Sequence, residues 1–464
     1  MDRLRQALHR RRSSSSSATP LQPPKSPSLA TADRRKKDDS DSAVRRLYIT
    51  SDTPSFDPLL LRRFEAEGFE VEYLPFPGGN EDPERDRKDL EKIIHEREDD
   101  LEPGERYAIL AYNKPAHLIL ASHHQSTTAT NPFPRLSALV TFYPHSTNSI
   151  DSPCSCEIPP SMTSSSTASD YTSLSLLPIQ IHLPGHQPPS LWDAYSAHPS
   201  KKRHRCHLFF YPESAPGFAE PSAAAYDRIS ARLALSRSLD CLKRGFGWPG
   251  GNWSIPAVET LWEGYWRNLI GDHPDDVADA ADDRAADAVQ MMVGSGGGWS
   301  LAGAEDQDRT AGLHETPSVN CVPTMMGGTT PRDIAAFYTT QFFPAGPPSQ
   351  SLRLLSRTLG TDRIVDELLL VFTHSEEIPW LLPGVPPTGK EVRVTLVMMA
   401  SFVAGKLARH NIYWDQASVL VQIGLLDPQL VPAGFVATGP NRAGSQEVQR
   451  LPVVGAEGVE RALG

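Results

Sequence analysis

The first half of the chain alternates short apolar runs with amphipathic segments. Apolar runs typical of buried strands begin near residue 47 and recur at 69–75, 107–111, 136–143, 178–183 and 207–211. Helical patterns lie between them at 58–67, 82–98, 115–122 and 224–244. Strands that alternate with helices predict an α/β domain with a mostly parallel sheet and helices on both faces.

The pattern changes in the second half. Residues 257–270 have an amphipathic helical pattern, a further helical pattern extends to about residue 293, and a Gly-rich stretch follows at 294–303. A helix at 331–341 then precedes long strands at 363–374 and 392–402, and Gly405-Lys406 forms a turn into a last strand. A helix followed by long strands with tight turns predicts an α+β domain with a curved antiparallel sheet.

These patterns divide the chain into five regions. We expect a disordered tail at 1–43, the α/β domain at 44–250, a helical and Gly-rich linker at 251–316, the α+β domain at 317–432 and a C-terminal tail at 433–464. Residues 151–175, rich in Ser and Thr, are expected to be a disordered insertion. The Arg- and Ser-rich first region is typical of a disordered tail, and a mitochondrial presequence is the alternative.

Composition narrows the classes of function. The 464 residues carry a formal net charge of −11, which disfavours binding to nucleic acid. No run of about eighteen apolar residues offers a membrane span. The five cysteines are scattered, and no second pair completes a zinc site with Cys154 and Cys156. We therefore expect a cytoplasmic protein that binds no metal, cofactor, nucleic acid or membrane.

The segment from Arg409 to Leu426 is the most informative part of the chain. Within it, Asp415 follows two aromatic residues and precedes an apolar run. An Asp in an apolar cavity has a raised pKa and can act as a general acid or base. An Asp that begins a helix instead accepts backbone N–H bonds, which lower its pKa. The sequence leaves both alternatives open.

Residues 45–246 resemble the dienelactone hydrolase (carboxymethylenebutenolidase-like) branch of the α/β-hydrolases. The likeness rests on strand order, on the run Phe210-Tyr211-Pro212-Glu213-Ser214-Ala215-Pro216-Gly217-Phe218-Ala219, and on the helix ending at Leu242-Lys243-Arg244. The resemblance implies a Cys or Ser nucleophile on a tight turn after a strand, an Asp after a later strand and a His before Gly-Phe.

All three of those positions depart from the family pattern. The turn after strand 107–111 reads Tyr112-Asn113-Lys114-Pro115-Ala116, with no Ser, Cys or glycine. The expected acid falls in Pro184-Gly185-His186-Gln187, and the expected His is Pro216, which cannot shuttle a proton. We therefore predict a degenerate triad without acyl transfer. A site of Asn113, Lys114 and His186, or residual ester or lactone hydrolysis, is the weaker alternative.

Residues 317–432 resemble the SnoaL-like members of the nuclear-transport-factor-2-like superfamily. The likeness rests on Phe372-Thr373-His374-Ser375, on Pro383-Gly384-Val385-Pro386-Pro387-Thr388-Gly389-Lys390, and on the stretch from Gly405 to Leu426. In fungal-type proteins this domain is fused behind a dienelactone-hydrolase-like one. The resemblance implies a cone-shaped, often dimeric fold whose cavity Asp is an acid/base in aldol-type polyketide ring closure. Asp415 sits where that Asp is expected.

Two histidines are candidates beside Asp415. His374 ends a strand and is expected to share a face with Leu368, Leu370 and Phe372. It could polarise a carbonyl or orient Asp415, and a satisfied histidine at a sheet end is the alternative. His410 stands just before the last strand, where it reaches the same cavity mouth or is a solvated hairpin residue.

Three further residues complete the predicted ligand site. Trp380 and Tyr413 suit the wall of a cavity for a flat ligand, although such aromatics are usually core residues. Glu367 lies among apolar strand residues, so we expect a partner such as Arg363 or Arg393.

Two functions fit these features. The first is a protein that binds or transforms a polyketide- or lactone-like molecule in its second domain, with Asp415 as the acid/base and His374 assisting. The second is a non-enzymatic scaffold that forms a homodimer through that domain. The sequence does not decide whether the chain is an enzyme.

Overall fold

The computed structural model describes most of the chain outside its N-terminal region. The described residues are 44–79, 82–123, 132–145, 177–187, 206–248, 253, 255–270, 278–294, 313, 315–343, 346–431, 436–437, 446–447 and 450–463. The predicted tail at 1–43, the predicted insertion at 151–175 and the Cys154–Cys156 pair lie outside the described residues.

Six parallel strands form the first sheet. They are β1 (Arg45–Ser51), β2 (Glu70–Pro75), β3 (Arg106–Tyr112), β4 (Leu136–Phe142), β5 (Ile179–Pro184) and β6 (Cys206–Tyr211). Their order in the sheet is β2-β1-β3-β4-β5-β6. Each pair of neighbours is parallel, which confirms the predicted parallel sheet. Because β4 is buried along its whole length, helices must cover both faces.

Four of the described helices cover this sheet. They are α1 (Pro58–Ala66), α2 (Pro83–Asp99), α3 (Asn113–His123) and α4 (Arg228–Gly245). Asp57, Asp82 and Asp227 begin α1, α2 and α4 by accepting backbone N–H bonds. One face of the sheet packs against α2 and α3, and the other against α1 and α4.

A second six-stranded sheet follows. Its strands are β7 (Ser318–Cys321), β8 (Met326–Gly328), β9 (Ser351–Leu359), β10 (Arg363–Thr373), β11 (Glu391–Val403) and β12 (Lys406–Trp414), in the order β8-β7-β12-β11-β10-β9. The sheet is mixed rather than antiparallel as predicted, because β7 pairs in parallel with β12. The remaining neighbours are antiparallel.

Two helices from the predicted linker pack on the second sheet. These are α5 (Val258–Ile270) and α6 (Ala278–Gln290). Trp262 and Tyr265 of α5 and Ala288 of α6 are buried in the same core as the sheet. An apolar helical face of this kind must be covered by another element. The core of the second domain therefore extends into the segment that we predicted as a linker at 251–316.

Shorter elements complete the chain. They are α7 (Pro331–Phe337), which continues into a π-helical turn at Tyr338–Phe342, then α8 (Gln416–Gln422), a small ladder of β13 (Val436–Ala437) and β14 (Gln446–Glu447), and α9 (Glu457–Leu463). None of the helices in the described part of the chain is long and apolar enough to cross a membrane.

Polar groups join the two domains. The carboxylate of Glu67, just after α1, is buried and accepts hydrogen bonds from Lys243 Nζ at 2.8 Å and from the backbone N–H of Ala404 at 2.9 Å. Burial alone would raise the pKa of Glu67. Lys243, Arg63 and the Ala404 amide outweigh burial and hold that pKa below its usual value.

Candidate functional site

His410 lies inside the second domain, between the inner face of its sheet and α5. It points inward because it alternates along β12 with the partly exposed Arg409 and Asn411. Only 1% of its surface is exposed. Trp262 and Tyr265, nearly one turn apart on α5, stand edge-on to its ring with centroids 5.1 and 5.8 Å away. His410 is therefore a strand residue, not the solvated hairpin residue of the alternative prediction.

The imidazole of His410 is polar and unsatisfied. Neither of its nitrogens has a hydrogen-bond partner among the described residues. Burial lowers the pKa of His410 to about 3, so the ring is neutral at pH 7, with one N–H donor and one acceptor nitrogen. Each buried polar group without a partner costs about 1–3 kcal/mol. Because folded proteins leave few such atoms unpaired, the ring marks a position suited to a hydrogen-bonding ligand or water.

Two phenols meet beside this histidine. The hydroxyls of Tyr265 and Tyr338 form a short hydrogen bond, and Tyr338 begins the π-helical turn. Turns of this kind are frequent at functional sites. Burial raises the pKa of both tyrosines and raises that of the neighbouring Cys321 thiol to about 12. The cluster is therefore uncharged at neutral pH, and it can exchange hydrogen bonds but offers no strong base.

A charged pair holds α5 against the sheet. Asp366, on the inner face of β10, accepts hydrogen bonds from Trp262 Nε1 at 2.7 Å and from Arg357 Nε and Nη2 at 2.7 and 2.8 Å. Arg357 also contacts Glu259 and Glu263 of α5 at 3.1 and 3.4 Å. Both oxygens of this buried carboxylate are thus paired. The pair fixes the position of the Trp262 ring, which stands edge-on to His410.

Asp415 begins α8 as its N-cap. Its side chain is exposed and accepts the backbone N–H of Ser418 at 3.1 Å. Val419 and Ile423, on the same helix, turn into the core instead. This is the geometry of the capping alternative and not that of a carboxylate in an apolar cavity.

His374 is buried at the end of β10. Its Nδ1 lies 3.1 Å from Thr388 Oγ1, and its Nε2 has no partner among the described residues. Burial lowers its pKa. As predicted, it lies on the face of the sheet that carries the buried Phe372, whose ring centroid is 6.5 Å away.

The strand register separates these three candidates. Along β11, His374 lies level with residue 390, Asp415 with residue 395 and His410 with residue 400. At a rise of about 3.4 Å per residue, successive positions are about 17 Å apart. The predicted site residues therefore do not converge on one pocket.

The other predicted ligand-binding residues point in different directions. Trp380 is 4% exposed and packs in the core with its ring centroid 5.6 Å from that of Trp414. Tyr413 lies on the outer face of the sheet and is 37% exposed. Glu367 is on the same outer face and accepts a hydrogen bond from Ser356 Oγ at 3.0 Å, rather than from a predicted arginine. Of these, Trp380 shares the buried core with His410.

The carboxyl edge of the first sheet holds the position where the nucleophile is expected. Asn113 follows β3 with a left-handed φ of 55°, and its side-chain amide donates to Asp52 at 2.8 Å. Lys114 forms a buried ion pair with Asp86, and His186 is exposed. Asn113 and Lys114 are thus each engaged by a different carboxylate.

Glu220 is another acid near this edge, and it was not among the residues predicted from the sequence. Burial first, and then the charges of Asp57 and Asp52, raise the pKa of Glu220 to about 7. The sequence does not indicate this shift, because Glu220 is far along the chain from Asp52 and Asp57, which share the segment between β1 and α1.

A second buried histidine lies within the first domain. His182 of β5 is stacked on Phe142 with ring centroids 4.3 Å apart. Its Nδ1 is 2.8 Å from Tyr211 Oη, and its Nε2 is 3.4 Å from Ser238 Oγ. Burial, and then the charge of Arg237, lowers the pKa of His182 to about 3. Unlike His410, this ring has a partner at each nitrogen.

Comparison with known proteins gives partial likenesses of fold. No family model and no curated protein matches the chain. A candidate dienelactone hydrolase from Klebsiella pneumoniae subsp. pneumoniae MGH 78578 is 15% identical, with 45% of this chain and 90% of that chain covered and a TM-score of 0.31. A candidate SnoaL-like polyketide cyclase from Jannaschia sp. CCS1 is 17% identical, with 38% and 100% covered and a TM-score of 0.25. An NTF2-like protein from Burkholderia thailandensis E264 is 10% identical, with 36% and 98% covered and a TM-score of 0.23.

Across the described ranges, no group of three His, Cys, Asp or Glu side chains is arranged to hold a metal ion.

Proposed function

We propose that the protein binds a small uncharged organic molecule inside its second domain, with His410 as the hydrogen-bonding anchor. The observation that carries this proposal is the buried imidazole with two unpaired nitrogens. A neutral imidazole can donate to a carbonyl and accept from a hydroxyl. Trp262 and Tyr265 add aromatic surroundings beside it. Lactones and polyketides, the ligand class that the sequence resemblance suggests, combine flat rings with such groups.

The chemistry that this interior favours is polarisation of a bound carbonyl. A neutral histidine can act in this way, whereas its low pKa makes it a poor general base. The hypothesis that Asp415 is the acid/base with His374 assisting is separate, and the exposed N-cap geometry of Asp415 does not support it. We also propose that the first domain lacks acyl transfer, because its turn after β3 offers an amide, Asn113, in place of a nucleophile.

A matched pair of ligands tests the proposal. We expect coumarin, a bicyclic lactone, to bind more tightly than naphthalene, which has the same ring size but no carbonyl. His410→Leu should weaken coumarin binding at least tenfold, which is about 1.4 kcal/mol, and should leave naphthalene binding unchanged. Titration calorimetry measures both.

His374→Leu is the matched control, because it removes a buried histidine about 34 Å away along the sheet. It should leave coumarin binding unchanged. Equal coumarin affinity in wild type and His410→Leu would contradict the proposal.

A non-enzymatic scaffold is the second candidate function. The capping geometry of Asp415 favours it, and so does an apolar patch of Val397, Met399 and Tyr413, each 36–37% exposed on the outer face of the second sheet. We propose this patch as the surface of a homodimer. Met399→Lys should then convert a dimer into a monomer by light scattering, and a monomeric wild type would contradict the dimer.

A further inference from the structure

Arginines gather where the outer face of the second sheet meets the first domain. Arg363, Ser401, Arg409 and Ser318 are consecutive partners across β10, β11, β12 and β7. They share the outer face, because the next residue on β12, His410, faces the core. Two strand spacings put the Cα atoms of Arg363 and Arg409 about 10 Å apart. Hydroxyl and guanidinium groups therefore alternate along one row.

Helix α4 of the first domain adds two more arginines to this row. Arg228 and Arg232 are four residues apart, so they occupy one face of the helix. The next residue on that face, Ser236, donates a hydrogen bond to Asp362 at 2.7 Å, directly before β10. This contact fixes the arginine face of α4 beside the start of β10. We call Arg228, Arg232, Arg363 and Arg409 the arginine cluster.

Positive charge in the arginine cluster is poorly compensated. Asp362 pairs with Arg363 at 3.3 Å. In the described part of the chain, Arg228, Arg232 and Arg409 have no carboxylate within ion-pair distance, and the nearby Glu315 instead pairs with Arg63 at 3.5 Å. Burial, and then the neighbouring arginines, lowers the pKa of both Arg232 and Arg409, a shift that Glu315 opposes. Such a concentration of positive charge is unexpected on a chain of net charge −11.

The side chains remain accessible. Arg228 and Arg232 are exposed, and Arg363 and Arg409 are half-buried. Each guanidinium presents donors in a planar fork that matches the oxygens of a phosphate or a carboxylate. Four arginines less the charge of Asp362 leave about three positive charges, and Glu315, which is shared with Arg63, reduces this number towards two.

We propose that the arginine cluster is a binding site for a small phosphate-bearing anion of two or three charges, such as a diphosphate group, bound between the two domains. The site is distinct from the His410 interior and does not depend on it. Because both domains contribute arginines, a bound anion would cross-link them and stabilise the folded chain.

The test uses inorganic pyrophosphate as the probe at constant ionic strength. We expect it to raise the Tm of the full chain and to bind by titration calorimetry, with citrate and sulfate at least tenfold weaker. Arg232→Gln combined with Arg409→Gln should weaken pyrophosphate binding at least tenfold. Arg353→Gln, which removes an exposed arginine from β9, is the matched control and should bind like wild type.

Three results would contradict the proposal. Citrate binding as tightly as pyrophosphate would refute the phosphate class. Equal weakening in Arg353→Gln would show a general effect of charge and not a site. Because Arg232 is exposed on a helix, Arg232→Gln alone should keep the wild-type circular dichroism, and pyrophosphate binding unchanged in this folded variant would refute the assignment.

Discussion

His182 in the first domain and His410 in the second are buried to the same degree but differ in their partners. Both lie on strands among aromatic rings, and burial lowers the pKa of both to about 3. His182 has Tyr211 and Ser238 at its two nitrogens. His410 has no partner at either one within the described structure. A lowered pKa therefore reports burial in both domains, and the hydrogen bonds separate a structural histidine from one free to bind a ligand.

Several other polar groups in both domains have partners within their own domain. At the carboxyl edge of the first sheet, Asn113 and Lys114 are held by acids of the same domain. In the second domain, Asp366 is likewise held by Arg357 and Trp262. Among the described buried side chains, His410 is the one with two unpaired polar atoms, whereas His374 has one, which is why we assign function to His410.

The largest predicted effect is a difference in stability between the variants His182→Leu and His410→Leu. His182→Leu should lower the free energy of unfolding by about 2–4 kcal/mol, because it breaks two hydrogen bonds and leaves the buried Tyr211 hydroxyl without its acceptor. His410→Leu should leave the free energy of unfolding unchanged or raise it, because it removes two buried polar atoms that have no partner. Urea denaturation measures both, and equal losses would remove the distinction.

Acid should destabilise both domains through these rings. The ordinary histidine pKa of 6.5 falls to about 3 in each folded site, so the unfolded chain binds more protons between those values. The stability from each neutral ring is complete above pH 6.5 and declines as the pH falls. At pH 5 the loss is about 2 kcal/mol per histidine.

Urea denaturation at pH 7 and pH 5 measures this decline. The loss between the two values should be about 2 kcal/mol smaller in His410→Leu than in wild type. An identical loss in both proteins would mean that His410 is not a buried neutral ring.

Substitution of Asp415 should have a smaller effect on the stability of the second domain. Asp415→Ala should cost about 1 kcal/mol of stability because α8 loses its N-cap, whereas Asp415→Asn should cost only a few tenths because Asn caps equally well. Thermal unfolding measures the difference. If a lactone substrate is found, its turnover should survive Asp415→Asn, and abolished turnover with an intact fold would restore the acid/base hypothesis.

Much of the fold could be predicted because its strands are long and apolar. The strands at 107–111 and 136–143 stand out for this reason, and β3 and β4 lie there. In contrast, β9 was missed because its residues are half-buried and often polar. Helix α5 was seen but assigned to a linker, since an amphipathic pattern does not say which distant sheet will cover it.

The candidate site was less accessible to sequence reasoning. His410 was named, yet whether it faces the core depends on the register set by the Gly405 turn, and a shift of one residue would turn it outward. Tyr338 and Tyr265 read as ordinary helix residues, and their contact joins segments 73 positions apart. For Asp415 the sequence leaves the catalytic and the capping alternatives open, because it does not show which way a carboxylate at a helix start points.

The central claim is that His410 is a neutral ring available to a ligand, and nitrogen NMR of histidine-labelled protein at pH 7 tests it most directly. The signals lost in His410→Leu identify the residue. We predict the two separate ¹⁵N shifts of a neutral imidazole, and a change in at least one of them when coumarin is added to saturation. The shifts of a charged imidazolium, or shifts that stay fixed in saturated protein, would contradict the account.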